Sequence, residues 1–324
     1  MHAINWTIPS PAPVIAPGQF NPPYDNSRAG AGHVLQLGDR YRMYYWGTDP
    51  DGFHHICMAE APVEQPNAWR GMGAVLGRQE GTGYNHYGPG FPHVVPVSGG
   101  RWMMYFCGWG KARPDGKLPN TTGVAVSEDE GLTWQYVSDE PVLACDHPCD
   151  REGTGSVWVL YEDGLFRMYY TAIAEYIPRP AGARTGHGDI IPRIGIGYAA
   201  SRDGFTWEKP LDRHVIEPRG FNTELYEYIA SKPCILREGG GYRAWVHTFG
   251  TAYRVRSLVS ADGLAWDWLP GGIDGELGVG EDGSFDSQQR CYVSVVQYGE
   301  EYRCWYTGNG FGSTGMGYAI GQLK

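Results

Sequence analysis

One short pattern recurs five times along the 324 residues, and it constrains the fold more than any single residue does. The copies are Gly38-Asp-Arg-Tyr-Arg-Met-Tyr-Tyr45, Gly99-Gly-Arg-Trp-Met-Met-Tyr-Phe106, Asp163-Gly-Leu-Phe-Arg-Met-Tyr-Tyr170, Gly239-Gly-Gly-Tyr-Arg-Ala-Trp-Val246 and Gly299-Glu-Glu-Tyr-Arg-Cys-Trp-Tyr306. Each reads as a turn followed by an aromatic-rich strand. The equivalent aromatics, Tyr44, Tyr105, Tyr169, Trp245 and Trp305, lie 60 to 76 residues apart. Strand chemistry at a near-constant period predicts a radial or stacked repeat.

Each repeat predicts four strands. An apolar run precedes the aromatic strand: Val34-Leu35, Val94-Val95, Val157-Trp158-Val159, Ile235-Leu236 and Val293-Ser-Val-Val296. A segment rich in Gly, Ala and Ser follows it. Three of these segments end in related turns, Ser127-Glu-Asp-Glu-Gly-Leu-Thr-Trp134, Ser201-Arg-Asp-Gly-Phe-Thr-Trp207 and Ser260-Ala-Asp-Gly-Leu-Ala-Trp266. Asp-Gly in the last two supplies a positive-φ turn, and the Trp opens a fourth, outer strand. The expected fold is all-β: a five-bladed β-propeller of four-stranded antiparallel blades, one domain over residues 1–324. Gly315-Met-Gly-Tyr-Ala-Ile320 matches a third strand, and Ile4-Asn-Trp6 through Pro17 matches Phe205-Thr-Trp207 through Pro218. The N-terminal strand is therefore expected to complete the last blade, closing the ring and removing two exposed edges.

Composition narrows the function classes. A net charge of −10 with no basic stripe argues against a nucleic-acid partner. No run of 18 apolar residues predicts a membrane span, and Met-His-Ala-Ile-Asn-Trp6 lacks the basic and apolar regions of a signal peptide. Seven scattered cysteines, an odd number, fit a reducing cytoplasm. Cys145-Asp-His-Pro-Cys149 has soft ligand atoms, but no second Cys/His cluster of zinc spacing accompanies it, so no metal is assigned.

Counting nineteen residues back from each repeat aromatic gives Asp25, His86, Asp150, Tyr226 and Asp286. The next two steps add Asn26, Tyr87, Arg151, Glu227 and Ser287, then Ser27, Gly88, Glu152, Tyr228 and Gln288. These positions are expected to ring one mouth of a central funnel, where Asp25, Asp150, Glu152, Glu227 and Asp286 would converge. Gathered carboxylates are what cleavage of a glycosidic bond needs, one as acid and one as base or nucleophile. Crowding would raise some of their pKa values. Asn85, His86, Tyr87, Trp109, Arg151, Glu175, Tyr228, His247 and Arg290 are the expected binding residues for a small carbohydrate. The competing reading of an Asp before a strand is a turn former bonded to its own backbone.

The chain resembles the five-bladed propeller glycoside hydrolases, the furanosidase and arabinanase/xylosidase clan with the related mannoside phosphorylases. The resemblance spans the whole chain through blade count, the Ser-x-Asp-Gly-x-x-Trp turns and the leading Asp. It implies a catalytic Asp in blade 1, an Asp in blade 2 that tunes pKa and orients substrate, and a Glu general acid in blade 3. Asp25 takes the first place, as base or nucleophile, and Glu152 the third, with Asp150 as competitor. Blade 2 departs: Asn85, His86 and Tyr87 stand where the Asp belongs, and Trp-x-Asn-Asp-Pro-Asn-Gly is absent. Either Glu227 or Asp286 supplies the missing carboxylate, or the chemistry differs.

The resemblance also implies a calcium ion or water on the axis, near His33, His93 and Gln288; no cofactor is assigned. The insert Glu175 to Arg193, rich in Gly and Pro, reads as a loop forming a lid or an arm toward a neighbouring subunit. Four readings follow: hydrolysis of a small glycoside or furanoside; phosphorolysis using Arg151, Arg290, His86 and Lys232; carbohydrate binding without catalysis; and a biosynthetic, non-hydrolytic reaction on the same fold.

Overall fold

The computed structural model describes residues 4–97, 99–114, 117, 120–220, 226–271 and 274–323. After β1 (Ile4–Thr7) the chain forms five consecutive antiparallel meanders. The first is β2 (Arg28–Leu37), β3 (Arg40–Thr48), β4 (His54–Pro62) and β5 (Arg70–Leu76); the second is β6 (Gly88–Pro96), β7 (Trp102–Trp109), β8 (Asn120–Ser127) and β9 (Gln135–Tyr136). The third is β10 (Gly153–Glu162), β11 (Leu165–Pro178) and β12 (Ile190–Ser201). The fourth is β13 (Ile229–Glu238), β14 (Gly241–Phe249), β15 (Tyr253–Ser260) and β16 (Asp267–Trp268); the fifth is β17 (Cys291–Tyr298), β18 (Glu301–Thr307) and β19 (Met316–Leu323). One parallel contact, Ile194 to Ile229, joins the third and fourth meanders into a seven-stranded sheet.

β1 pairs antiparallel with β19, Ile4 opposite Leu323. Ile15 bridges Met316 much as Ile216 bridges Ile196, which is the correspondence that the two sequence segments carry. The outer strands are shorter than expected. β9 and β16 have two residues each, and the third meander has isolated bridges, Ala200 to Glu208 and Ile196 to Ile216, in place of a fourth strand.

Burial on both faces explains why the repeat is aromatic at successive positions. Every residue of β3 after Arg40 is buried, so Tyr44 and Tyr45 fill different core clusters. The Tyr44 hydroxyl crosses to the second meander and donates to the Gly131 carbonyl at 2.8 Å; Tyr105 does the same to Gly204 of the third at 2.9 Å. These glycines close the Ser-x-Asp turns at φ +81° and +78°. A Cβ at either position would also collide with the tyrosine hydroxyl. The Tyr169 hydroxyl lies against Gly263 of the fourth meander, where a Cβ would also collide with it, but it makes no hydrogen bond. The fifth and first meanders lack this turn, and the repeat aromatics of the meanders that precede them are Trp245 and Trp305.

The first strand of every meander carries a bulge, beginning after Gly30, Gly90, Thr154, Ser231 and Cys291. Ala31, Phe91, Lys232 and Tyr292 adopt positive φ there. Bulging frees backbone groups from the ladder, and neighbouring meanders satisfy them. His33 Nδ1 accepts from Val94 N at 3.0 Å, and His93 Nε2 donates to the Val159 carbonyl at 2.9 Å. Thr171 Oγ1 accepts from Lys232 N, His247 Nε2 from Val293 N, Ser294 Oγ from Val34 N and Thr307 Oγ1 from Ala31 N. The first strands pack in cyclic order, β2 on β6, β10, β13, β17 and back to β2.

The insert begins and ends in strand, with residues 179–189 as the loop between, so the expectation of a loop holds only for its middle. β11 runs to Pro178 and β12 starts at Ile190, because this hairpin keeps its register past the neighbouring sheets. Its tip folds onto the chain itself: Gly186 N donates to the Gly250 carbonyl at 2.7 Å, and the His187 ring meets Tyr228 and Phe249. Among the described residues no helix is long and apolar enough to cross a membrane.

Candidate functional site

All five meanders contribute to one cavity of about 400 Å3 where their first strands meet. The bulges deliver Phe91, Gly155 and Tyr292 to its wall. Trp46, Cys107 and Thr171 come from the position two residues after the repeat aromatic. Arg28, His54, Trp109, Asn120, Ser156, Ser231, Tyr253 and Phe311 add to it. Trp46 and Trp109 stack with centroids 5.7 Å apart, Phe91 lies 5.1 Å from Trp46, and the Arg28 guanidinium sits 4.3 Å above the Trp46 ring. His54 Nδ1 is 3.1 Å from Thr48 Oγ1. Burial, then the charges of Arg28 and His55, lower the His54 pKa to about 4, so its imidazole is neutral at pH 7. Arg28 Nε, Trp46 Nε1, Trp109 Nε1 and Asn120 Oδ1 are out of solvent without a hydrogen-bond partner. No Asp or Glu stands among the described residues of the wall.

The expected carboxylates are not gathered around this cavity. Asp25 is buried, and its Oδ2 accepts from Tyr45 Oη at 2.7 Å and from Asn21 N at 3.2 Å. Asp150 accepts from Tyr170 Oη at 2.8 Å, Lys209 Nζ at 2.6 Å and His147 N at 2.9 Å. Asp286 accepts from Tyr306 Oη at 2.8 Å, Arg290 Nε at 2.6 Å and Ser284 Oγ at 2.8 Å. Each Asp thus ties its entry loop to a tyrosine twenty residues later, on the second strand of its own meander. Where the repeat has His86 or Tyr226 instead, the residue twenty later is Phe106 or Val246, which cannot donate. The leading Asp is therefore one half of a clamp repeated in three meanders, and at Asp25, Asp150 and Asp286 the count reached this clamp rather than the cavity wall.

Glu227 is buried between Arg219 (2.9 Å) and Arg256 (2.7 Å) and accepts from Thr248 Oγ1 at 2.7 Å. Burial alone would raise its pKa, but the Arg256 contact, Thr248 and Arg219 outweigh it and hold the carboxyl below its usual range. Glu152 is not among the residues of the cavity wall but adjoins two of them. The adjoining Gly153 packs on Asn120 and Ile173 of the wall, and Glu152 N donates to the Ile173 carbonyl. Its carboxylate, about a quarter exposed, meets Arg113 at 2.7 Å and Lys117 at 3.4 Å. The Arg113 hydrogen bond leads the groups that lower its pKa. That direction is opposite to the one a general acid needs, so the acid role expected for Glu152 does not fit its surroundings.

The remaining candidates scatter. Trp109 lines the cavity. Asn85 is buried, donating to Tyr136 Oη at 2.9 Å, while His86 and the exposed Tyr87 pack on each other. Arg151 and Glu175 share a separate pocket of about 220 Å3 with Arg193, His214 and Glu217. Tyr228 supports the hairpin tip through His187, and Arg290 serves Asp286 and the Leu277 carbonyl. His247 is buried, donating from Nδ1 to the Lys232 carbonyl at 2.8 Å. Between the first strands, His33 and His93 pack ring to ring at 4.2 Å, and Lys232 Nζ donates to the Val293 carbonyl. Among the described residues no three His, Cys, Asp or Glu side chains gather as a metal site, and all seven cysteines are free. Sequence counting passed over Arg28, Trp46, His54 and Asn120; the bulge and the end of the second strand were the positions to align.

No family model matches the chain. Solved structures do match its fold. BT0996 in its RGII complex aligns with a TM-score of 0.68 at 19% identity over 97% of this protein and 91% of that one. A thermostable family-43 glycoside hydrolase gives 0.63 at 15% identity over 95% and 92%. A member of the GH130 family of mannoside phosphorylases, a family described as containing glycoside hydrolases that target β-1,2 mannosidic linkages in Candida mannan, gives 0.67 at 13% over 99% and 94%. The chain therefore shares the all-β fold of these glycoside hydrolase structures. In sequence, the uncharacterized proteins MT1551 and Rv1502 of Mycobacterium tuberculosis are 32% and 31% identical over 302 residues, covering 87% of this protein and 88% of each relative. The chain belongs to the family of these two proteins.

Proposed function

We propose that the protein is carbohydrate-active, of the glycosidase type, holding a sugar in the axial cavity with its glycosidic bond toward Glu152 beside the wall. One observation carries this reading: a single cavity, sized for one or two sugar rings, is walled by aromatic faces and by polar atoms without partners. The five meanders are read as five blades of one domain, closed by β1; the cyclic packing of the first strands supports this. The ionised Glu152 suits activation of water rather than protonation of a leaving group. Free cysteines support a reducing, cytoplasmic location.

A second reading, sugar binding or a biosynthetic transfer without hydrolysis, is favoured by the engagement of Asp25, Asp150 and Asp286 with their tyrosines. A screen of aryl furanosides and pyranosides, with and without phosphate, separates the readings. On the hydrolase reading Glu152→Gln lowers turnover by about 100-fold or more. Trp109→Ala weakens ligand binding by about tenfold on either reading, a loss of about 1.4 kcal/mol. Binding without turnover by any variant selects the second reading, and a phosphate requirement selects phosphorolysis. Neither binding nor turnover, with the protein folded, overturns the assignment of the cavity.

A further inference from the structure

Arg28 is the charged residue of the cavity wall, and nothing in the wall neutralises it. Among the described residues no Asp or Glu lies within 4.0 Å of its guanidinium. Its Cζ lies over the Trp46 ring, 4.3 Å from the centroid, and the N–H edge of the guanidinium has no ion-pair partner among the described residues. That edge includes Nε, which is out of solvent and unpartnered. Burial lowers the Arg28 pKa, as expected of a guanidinium removed from water without a counter-ion; the nearby Tyr292 works the other way. His54 beside it is neutral and brings no negative charge. Trp46 and Trp109 each add an unused indole N–H in the same wall.

A half-buried guanidinium without an anion is less favourable than one with it, and a ligand that brings the anion gains from the pairing. A guanidinium edge presents parallel N–H donors that match the two oxygens of a carboxylate. A phosphate dianion is more often met by several cations or by a nest of backbone N–H groups, whereas this wall holds one cation between flat aromatic faces. Resting on the reading of the cavity as a carbohydrate site, we infer that the ligand is an acidic sugar, a uronic acid or a glycoside containing one, whose carboxylate is received by Arg28.

The test is calorimetric or saturation-transfer binding of the full chain to matched probes: glucuronate and galacturonate oligosaccharides, the corresponding neutral hexose oligosaccharides, and a hexose phosphate. The wild type should bind at least one uronate probe tenfold or more tighter than its neutral counterpart. Arg28→Gln should erase that preference, so that the uronate and its neutral counterpart bind equally, and Arg28→Lys should restore part of it. Thermal unfolding of each variant separates loss of the ligand from loss of the fold. If Arg28→Gln fails to fold, uronate affinity of the wild type should still fall with added salt while neutral-sugar affinity does not. Equal affinity for acidic and neutral probes, a preference that survives Arg28→Gln, or Arg28-dependent binding of the hexose phosphate alone overturns the inference. Failure of the cavity reading looks different: Trp109→Ala then changes the affinity of no probe.

Discussion

Replacing Glu227 by Ala is expected to destabilise the protein by about 3–5 kcal/mol, because it removes a buried carboxylate that pairs with two arginines. Glu227 is 2% exposed and receives Arg256 on one oxygen and Arg219 on the other, with Thr248 completing the shell. Removing the carboxylate strips the most buried of these groups, Arg256, of that counter-charge inside the fourth meander. For a chain of this length the change corresponds to a fall in Tm of roughly 10 °C, read by calorimetry. Glu227→Gln keeps an acceptor for Thr248 and should lose less. The contribution has a pH window. The folded pKa lies below 4.5, so the stabilisation is present above the unfolded pKa and is lost as pH falls through the folded value. A catalytic Glu227 predicts the reverse pattern, with turnover abolished and Tm unchanged or raised. Unchanged Tm in Glu227→Ala would therefore remove the structural assignment and reinstate the residue as a candidate catalyst.

The same contrast shows what the sequence made legible. The period, the strands and the pairing of the N-terminal segment with the last meander could be read because each rests on local pattern: turn chemistry, apolar runs and aromatic repeats. The inter-meander links were also written there. Tyr44, Tyr105 and Tyr169 precede meanders that carry a Ser-x-Asp turn, and Trp245 and Trp305 precede those that do not. The clamp of Asp25, Asp150 and Asp286 had its signature as well, since a tyrosine stands twenty residues after each Asp and nowhere after its replacements. Read with that partner, the Asp column becomes an anchor, and a convergent acid cluster is no longer needed to explain it. Arg28 was not legible. Its distinction is a counter-ion that the described residues do not provide, a property of the assembled wall. The bulges share no residue type, with Ala31, Phe91, Lys232 and Tyr292 all at positive φ, so no motif marks where the wall begins.

The buried histidines between the first strands should make the protein acid-labile in a window set by their titration. His93 and His247 are fully enclosed, and burial, the leading cause, lowers both pKa values to about 3; His33 is held well below 6.5 by burial and by the charges of His93 and Lys232. Geometry agrees independently. His33 Nδ1 and His247 Nε2 each accept a backbone N–H, which a protonated ring could not do. Cys234, Cys291 and Lys232 are the other titratable groups there, and their own pKa values keep the thiols neutral and the amine charged below pH 7. The sign follows. The unfolded chain takes up protons near pH 6.5 and the folded chain does not, so stability is full above 6.5 and falls as pH drops toward the folded values. Three such groups give a slope approaching about 4 kcal/mol per pH unit below pH 6, at about 1.4 kcal/mol each. Against a stability of about 5–15 kcal/mol, unfolding should set in well before the carboxylates titrate. Denaturant titrations by tryptophan fluorescence between pH 5 and 8 measure the slope. His93→Gln, which keeps a donor for the Val159 carbonyl, should reduce it by one proton's worth. A stability that stays flat from pH 6.5 to 5 would mean that the buried imidazoles accept protons in the folded state, and the hydrogen bonds that link the first strands through His33 and His247 would have to be redrawn.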